Sequence, residues 1–166
     1  MAFEEFWKLI TLLGGLEIWV AIIFAILAVY AIVPKSKKHR IASLAFILIS
    51  SIIVSTVVAE LLKTSLKISR PCVGSIDCPS GYSFPSGHAA RIFTLAAVIA
   101  LSIRDFRTKF AFLILAILVS ISRVALNYHT YADIIAGALV GILIAYLANL
   151  SYKRVSSLKT FKTIIS

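Results

Sequence analysis

A chain of 166 residues that is 60% hydrophobic and only 14% charged is too apolar for a water-soluble domain, where about a quarter of residues carry charge. It reads as an integral membrane protein. Its net charge of +10 would suit nucleic acid, but the cations sort by position along the chain as they do in membrane topology, so nucleic acid is not an expected partner.

The N-terminal segment comes first. Phe3, Phe6, Trp7, Ile10 and Leu13 recur at helical spacing opposite Glu4, Glu5, Lys8 and Thr11, the pattern of an amphipathic helix lying in the membrane interface with aromatic anchors. Glu4 and Glu5 stand where a cleavable signal would carry basic residues. Gly14-Gly15 would hinge this helix into the next, and it reads either as a lateral gate for lipid or as a simple anchor. Hydrocarbon about 30 Å thick needs roughly 20 apolar residues per helical span. Five stretches qualify: about 16–33, 41–62, 89–103, 110–127 and 132–150. The third is short and needs a polar edge. The expected fold is therefore all-α, a membrane-embedded bundle of about five transmembrane helices plus the interfacial helix. No repeat or linker divides it, so 1–166 reads as one domain.

Orientation follows from the cations, because Lys and Arg near span ends stay on the cytoplasmic side. Lys35, Lys37, Lys38 and Arg40 separate spans one and two, and Arg104, Arg107 and Lys109 separate spans three and four. Lys153, Arg154, Lys159 and Lys162 follow span five, so eleven of the 17 Lys and Arg share one side. The other face holds the N-terminus, the 63–88 loop and the turn around His129. Cys72 and Cys78, the two cysteines, lie in that outward loop, where oxidation is permitted. A bridge between them would contribute about 2 kcal/mol and stiffen the segment between Arg70 and Ser86; free thiols are the other reading.

Three blocks then meet at the outward face. Lys63 and Arg70-Pro71 leave span two, Pro85-Ser86-Gly87-His88 opens span three, and Ser122-Arg123, His129 and Asp133 join spans four and five. Their residue types answer the needs of phosphoryl transfer, which is mostly positioning and electrostatic stabilisation. Arg70 and Arg123 offer planar forks for phosphate oxygens, and Lys63 adds a mobile point charge. Ser86 and Gly87 at a helix start supply a hydroxyl and open backbone N–H groups. No Asp-rich cluster is present to hold Mg²⁺, so no metal or other cofactor is expected. A neutral imidazole can attack phosphorus. His129 is the better candidate because Asp133, four residues on, can hold its distal nitrogen; His88 would protonate the leaving oxygen and then deprotonate water. On charge alone the two histidines could exchange roles.

Lys63 to Pro71, Pro85 to His88 and Ser122 to Asp133 resemble the three signature blocks of the type 2 phosphatidic acid phosphatase family, whose site is shared with vanadium haloperoxidases. Every signature position is filled, in order, across 63–133. The resemblance implies a helical bundle, an outward-facing site, a phosphohistidine intermediate and no metal. It assigns His129 as nucleophile, His88 as acid and base, Asp133 as orienter and Lys63, Arg70, Ser86, Gly87 and Arg123 as phosphate ligands. Similarity to small prokaryotic members points to a multi-pass protein of the cytoplasmic membrane with its site on the extracytoplasmic side. The expected partner is a membrane lipid: a polyprenyl diphosphate, phosphatidylglycerophosphate, lipid A 1-phosphate or phosphatidic acid. No obligatory protein partner is expected.

Arg91 lies outside the signature, one turn after His88 on the same face. It is expected to contact a second anionic group of the headgroup or, alternatively, to pair with Glu60. Gly137 and Gly141 form a GxxxG spacing suited to close helix packing. Three other functions fit the chain less well. A lipid-to-lipid phosphotransferase would use the same site but need an acceptor, a zinc site on His88, His129 and Asp133 would lose activity with a chelator, and a non-catalytic transporter or scaffold would tolerate loss of His129.

Overall fold

The computed structural model describes residues 2–165, with side chains described for 3–154 apart from Lys37 and Arg40. The expected inside cations Lys37, Arg40, Lys159 and Lys162 thus have side chains outside the described residues. Six helices follow in order: α1 (Ala2–Leu12), α2 (Leu16–Ile32), α3 (Lys35–Leu66), α4 (Gly87–Ser102), α5 (Phe106–Ala125) and α6 (Tyr131–Ile165). The described residues contain no strand.

Local chemistry sets the helix ends. Pro34 precedes α3, and Lys67 in the left-handed region (φ 53°) closes it with its N–H on the Lys63 carbonyl. Ser86 caps α4 by accepting from the Ala89 amide, and Asp105 caps α5 by accepting from the Thr108 amide at 2.8 Å. After α5 the chain turns at Asn127 (φ 57°), a residue type that tolerates this conformation. Thr130 and Asp133 then cap α6 reciprocally, the Thr130 amide donating to Asp133 Oδ2 at 2.7 Å and the Asp133 amide to Thr130 Oγ1 at 3.3 Å, which is a capping box.

The short helix α4 is the axis of the bundle. It packs on α3 and α5 and most extensively on α6, where Gly137 and Gly141 let the two backbones touch. A Cβ at Gly137 would collide with the Ser86 carbonyl, and one at Gly141 with the Ala90 carbonyl. Trp19, Ile52, Ile92, Leu95, Ala96, Ala116 and Val119 form the main core around α4. Large apolar side chains such as Phe24, Phe46 and Leu139 point outward, as lipid-facing surfaces require.

Helices α3, α5 and α6 are long and apolar enough to cross a membrane. The pair α1–α2, bent by 44° at residues 13–15, adds a fourth crossing if read as one broken span, and α4 is a shorter apolar helix. The protein is thus a multi-pass membrane protein. The hinge forms at Gly14-Gly15, but α1 is turned differently from its sequence pattern. Phe3, Phe6, Leu9 and Leu12 face outward, while Thr11, placed by the pattern on the polar outer face, is buried. Its hydroxyl is drawn inward by the guanidinium of Arg123, 2.8 Å away; a hydrogen-bonded pair of buried polar groups outweighs the helical hydrophobic pattern at that position.

Candidate active site

At one end of the bundle, the C-terminal ends of α3 and α5 meet the N-terminal ends of α4 and α6. The Ser86 amide donates to the Asp133 carbonyl at 2.9 Å, tying the start of α4 to the first turn of α6. The Arg123 carbonyl accepts the amides of Tyr128 and His129 at 3.0 and 3.2 Å. This folds the turn back so that His129, 3% exposed, points into the bundle.

Around His129 the hydrogen bonds settle the tautomer. Nη1 of Arg70 lies 3.0 Å from Nε2 of His129. A guanidinium only donates, so Nε2 is the acceptor, its lone pair free of a proton. The ring proton therefore sits on Nδ1, which faces Asp133 Oδ2 at 3.4 Å. Burial first, then the charges of Arg123 and Arg70, hold the His129 imidazole down to about 3 from its ordinary 6.5, with Asp133 opposing. The ring is a neutral base with its lone pair turned toward the cations.

The arginines are braced by neutral oxygens. Arg70 donates to the carbonyls of Gly81 (3.2 Å), Tyr128 (3.1 Å) and Ser80 (3.4 Å), and burial lowers its affinity for its proton, with Asp133 and Glu60 opposing. Arg123 donates to Thr11, sits 4.7 Å over the Tyr128 ring and keeps its buried Nε without a partner. Lys63 pairs with Glu60 at 2.6 Å. A Cβ built on Gly87 would lie 3.4 Å from Lys63 Nζ and 3.3 Å from Arg91 Nη1, so both cations converge on the backbone at the start of α4. Ser86 is fully buried.

Arg91 forms no salt bridge with Glu60, one of the two partners expected for it. Nε and Nη2 donate to the Gly14 carbonyl at 3.1 and 2.9 Å, because the α1–α2 hinge lies directly over the site, and Glu60 is engaged by Lys63 instead. Gly14 also packs on His88; a Cβ there would fall 2.7 Å from His88 Cδ2. Cys72 and Cys78 are joined by a disulfide in the loop that follows Arg70. Among the described residues no three His, Cys, Asp or Glu group to hold a metal.

Three contributors were not among the site residues expected from the sequence. Thr130 shares the Asp133 carboxylate through a Thr-x-x-Asp pattern that was open to a reading as a cap. Thr11 holds Arg123. Ser83, 1% exposed, donates to Asp133 Oδ2; nothing in its sequence neighbourhood marks it.

Residues 42–156 match the PAP2 superfamily. Over 70 residues the chain is 40% identical to an undecaprenyl-diphosphatase of Sulfolobus acidocaldarius, covering 42% of this chain and 34% of that protein. Over 97 residues it is 32% identical to phosphatidylglycerophosphatase B of Bacillus subtilis, covering 53% of this chain and 48% of that protein. The chain thus spans between a third and a half of the length of these relatives. The crystal structure of Aquifex aeolicus LpxE superposes with a TM-score of 0.69 at 25% identity, covering 87% of this chain and 84% of that one. That of a transmembrane PAP2-type phosphatidylglycerolphosphate phosphatase from Bacillus subtilis superposes at 0.75 with 21% identity, covering 91% and 77%. The three signature blocks, brought to one end of the bundle, fall inside the matched residues, and the chain belongs to the PAP2 superfamily.

Proposed function

We propose that this protein is a membrane lipid phosphatase that removes a phosphate from a lipid phosphate or diphosphate through a phosphohistidine on His129. The observation that carries the reading is the 3.0 Å contact of Arg70 with His129 Nε2. It leaves one ring nitrogen as a lone pair among cations and puts the proton beside Asp133.

A lipid phosphate near neutral pH carries about −1.5 to −2 charge. Its oxygens take the N–H groups of Arg70, the free Nε of Arg123, Lys63 and the backbone at Gly87. As Arg70 turns from Nε2 to the phosphate, the lone pair attacks phosphorus and the bond to the lipid oxygen breaks, that oxygen receiving the proton of His88, which enters this step as the imidazolium favoured by the bound dianion. Asp133 stabilises the positive charge that develops on the ring. Water then loses a proton to His88 and attacks phosphorus, releasing phosphate and restoring Nε2. The fixed cations neutralise the transferring group, so the reading assigns no step to a metal.

The cations Lys35, Lys38, Arg104, Arg107 and Lys109 lie at helix ends opposite the site, and Lys153 and Arg154 close the apolar span of α6 on that same side. By the positive-inside rule the site opens to the extracytoplasmic side of a cytoplasmic membrane. The names of the relatives direct the choice of two substrates, a polyprenyl diphosphate and phosphatidylglycerophosphate, and lipid A 1-phosphate and phosphatidic acid, expected from the sequence, complete the set.

Purified protein in vesicles, given each ³²P-labelled lipid, is expected to release free phosphate without an acceptor lipid, unaffected by a chelator. It should carry acid-labile label on His129, and His129→Ala should abolish both label and release. Turnover by His129→Ala, or label on another residue, overturns the reading; transfer only in the presence of a lipid alcohol makes the protein a phosphotransferase.

A further inference from the structure

We infer that Ser83 is a positioning residue of the nucleophile, the third member of a Ser83–Asp133–His129 unit. This rests on the reading of His129 as nucleophile and extends it to a residue outside the signature blocks. The Ser83 hydroxyl donates to Asp133 Oδ2 and its oxygen lies 3.4 Å from His129 Nδ1. Asp133 Oδ2 lies 3.4 Å from the same nitrogen. An ionised carboxylate only accepts, so the single proton of Ser83 goes to Asp133 and the lone pairs of its oxygen are left facing Nδ1–H. The ring proton thus sees two acceptors at equal distance. A serine turned this way cannot donate to Nδ1, so the proton stays on Nδ1 and the lone pair on Nε2.

The backbone makes the arrangement a clamp. The Ser83 amide donates to the Ile68 carbonyl at 2.8 Å, and Ile68 stands two residues before Arg70, which holds the opposite ring nitrogen at 3.0 Å. One loop, closed on itself at Ile68 and Ser83, thereby grips both nitrogens of the imidazole. On Asp133 the serine works against the capping amide of Thr130, which donates to the same Oδ2 at 2.7 Å. Two donors from different segments fix the carboxylate that faces the ring. Removing the outer partner that orients a metal-bound histidine typically changes activity by about 10–100-fold, and the same scale is expected for a histidine that must aim its lone pair at phosphorus.

The test uses the full chain in vesicles, with Ser83→Ala, Ser83→Thr and Ser83→Cys beside the wild type. Phosphohistidine formation is followed in single turnover, and the His129 tautomer by ¹⁵N NMR of histidine-labelled protein. Ser83→Ala is expected to slow phosphohistidine formation about 10–100-fold with KM within about twofold, and to shift the ¹⁵N signal of Nδ1, whose proton loses one of its two acceptors, while Nε2 keeps its lone pair on Arg70. Ser83→Thr, which keeps the hydroxyl, restores most of the rate; Ser83→Cys, a weaker donor in a similar volume, falls between and serves if the alanine variant does not fold. A rate for Ser83→Ala or Ser83→Cys within twofold of wild type, or a loss with unchanged ¹⁵N shifts, overturns the inference. Wild-type label on His129 together with such a result discards Ser83 alone, whereas wild-type label elsewhere discards the nucleophile assignment and Ser83 with it.

Discussion

Gly14→Ala puts a methyl group into the contact between the α1–α2 hinge and the proposed acid. The new Cβ would meet His88 Cδ2 at 2.7 Å, Val119 Cγ1 at 2.9 Å and His88 Cβ at 3.1 Å. Gly14 is not in the left-handed region, so the penalty is steric. Carbon atoms are comfortable at about 3.5–4.0 Å, so ring and hinge must part by roughly 0.8 Å or more. The hinge resists, because its carbonyl holds two N–H groups of buried Arg91, and hydrogen bonds to charged groups contribute about 1.5–3 kcal/mol. The His88 ring, half-buried at the start of α4, is the freer partner and takes most of the displacement. Overpacking of this size costs about 1–3 kcal/mol, each kcal/mol lowering the thermal midpoint by roughly 2–4 °C at this chain length. A misplacement near 1 Å can reduce catalysis by about 100-fold. The assay compares kcat for a lipid phosphate, whose alkoxide must be protonated to leave, with kcat for p-nitrophenyl phosphate, whose phenolate leaves unaided. A displaced proton donor should reduce the first about 10–100-fold and the second far less. Equal losses on both substrates, or a lipid kcat within twofold of wild type, would refute the placement of the hinge against a catalytic His88.

Three further outcomes follow from the site. His129 is depressed to about 3 from 6.5 chiefly by burial, so it stays unprotonated in mild acid, and the ¹⁵N signals of its ring in histidine-labelled protein should remain those of a neutral imidazole from about pH 7.5 to 5, a charged ring in that range contradicting it. The same shift bears on stability. Below 6.5 the unfolded chain takes up a proton that the folded chain refuses, so stability is intact above 6.5 and is lost as pH falls toward 3. The thermal midpoint of wild type should therefore drop more between pH 7 and 4.5 than that of His129→Gln, and parallel curves would contradict it. Gly137→Ala forces α6 away from the Ser86 carbonyl, and Gly141→Ala does the same one turn farther from the site at the Ala90 carbonyl. Both should lose about 1–3 kcal/mol by thermal unfolding in detergent, but Gly137→Ala should lose more kcat because it strains the Ser86–Asp133 bond; the reverse order would show that this crossing does not set the site.

What could be read in advance divides along physical lines. Hydropathy located the apolar stretches because lipid selects composition, yet it reports where hydrocarbon lies and not where helices end. Thus α3 already begins at Lys35, behind Pro34, and runs to Leu66, well past the expected 41–62. The signature residues stood out because a Lys, Arg, His or Asp in so apolar a chain is costly unless it is used. Ser83 carries no charge and finds its partners 46 and 50 residues away, so only the folded loop reveals it. Thr11 was assigned to the wrong side because its partner, Arg123, is 112 residues distant.

The partners of the arginines explain the largest gap between reading and structure. Arg70 rests on the carbonyls of Gly81, Ser80 and Tyr128, Arg91 on that of Gly14 and Arg123 on the Thr11 hydroxyl. Every residue has a carbonyl, so no residue pattern announces such a partner, and a search for acids to match the bases fails at Arg91. The choice of neutral oxygens has a consequence for chemistry. A carboxylate beside each guanidinium would cancel the charge before substrate arrives, whereas a dipole satisfies the N–H groups and leaves the positive potential in place for a dianion. The carboxylate salt-bridged to a site cation belongs to Glu60, 55% exposed at the rim and bonded to Lys63, the flexible cation that can leave it most easily. In the proposed reaction the pocket holds its charges apart with dipoles, and phosphate oxygens, which bind guanidinium more strongly than a carbonyl does, then take their place.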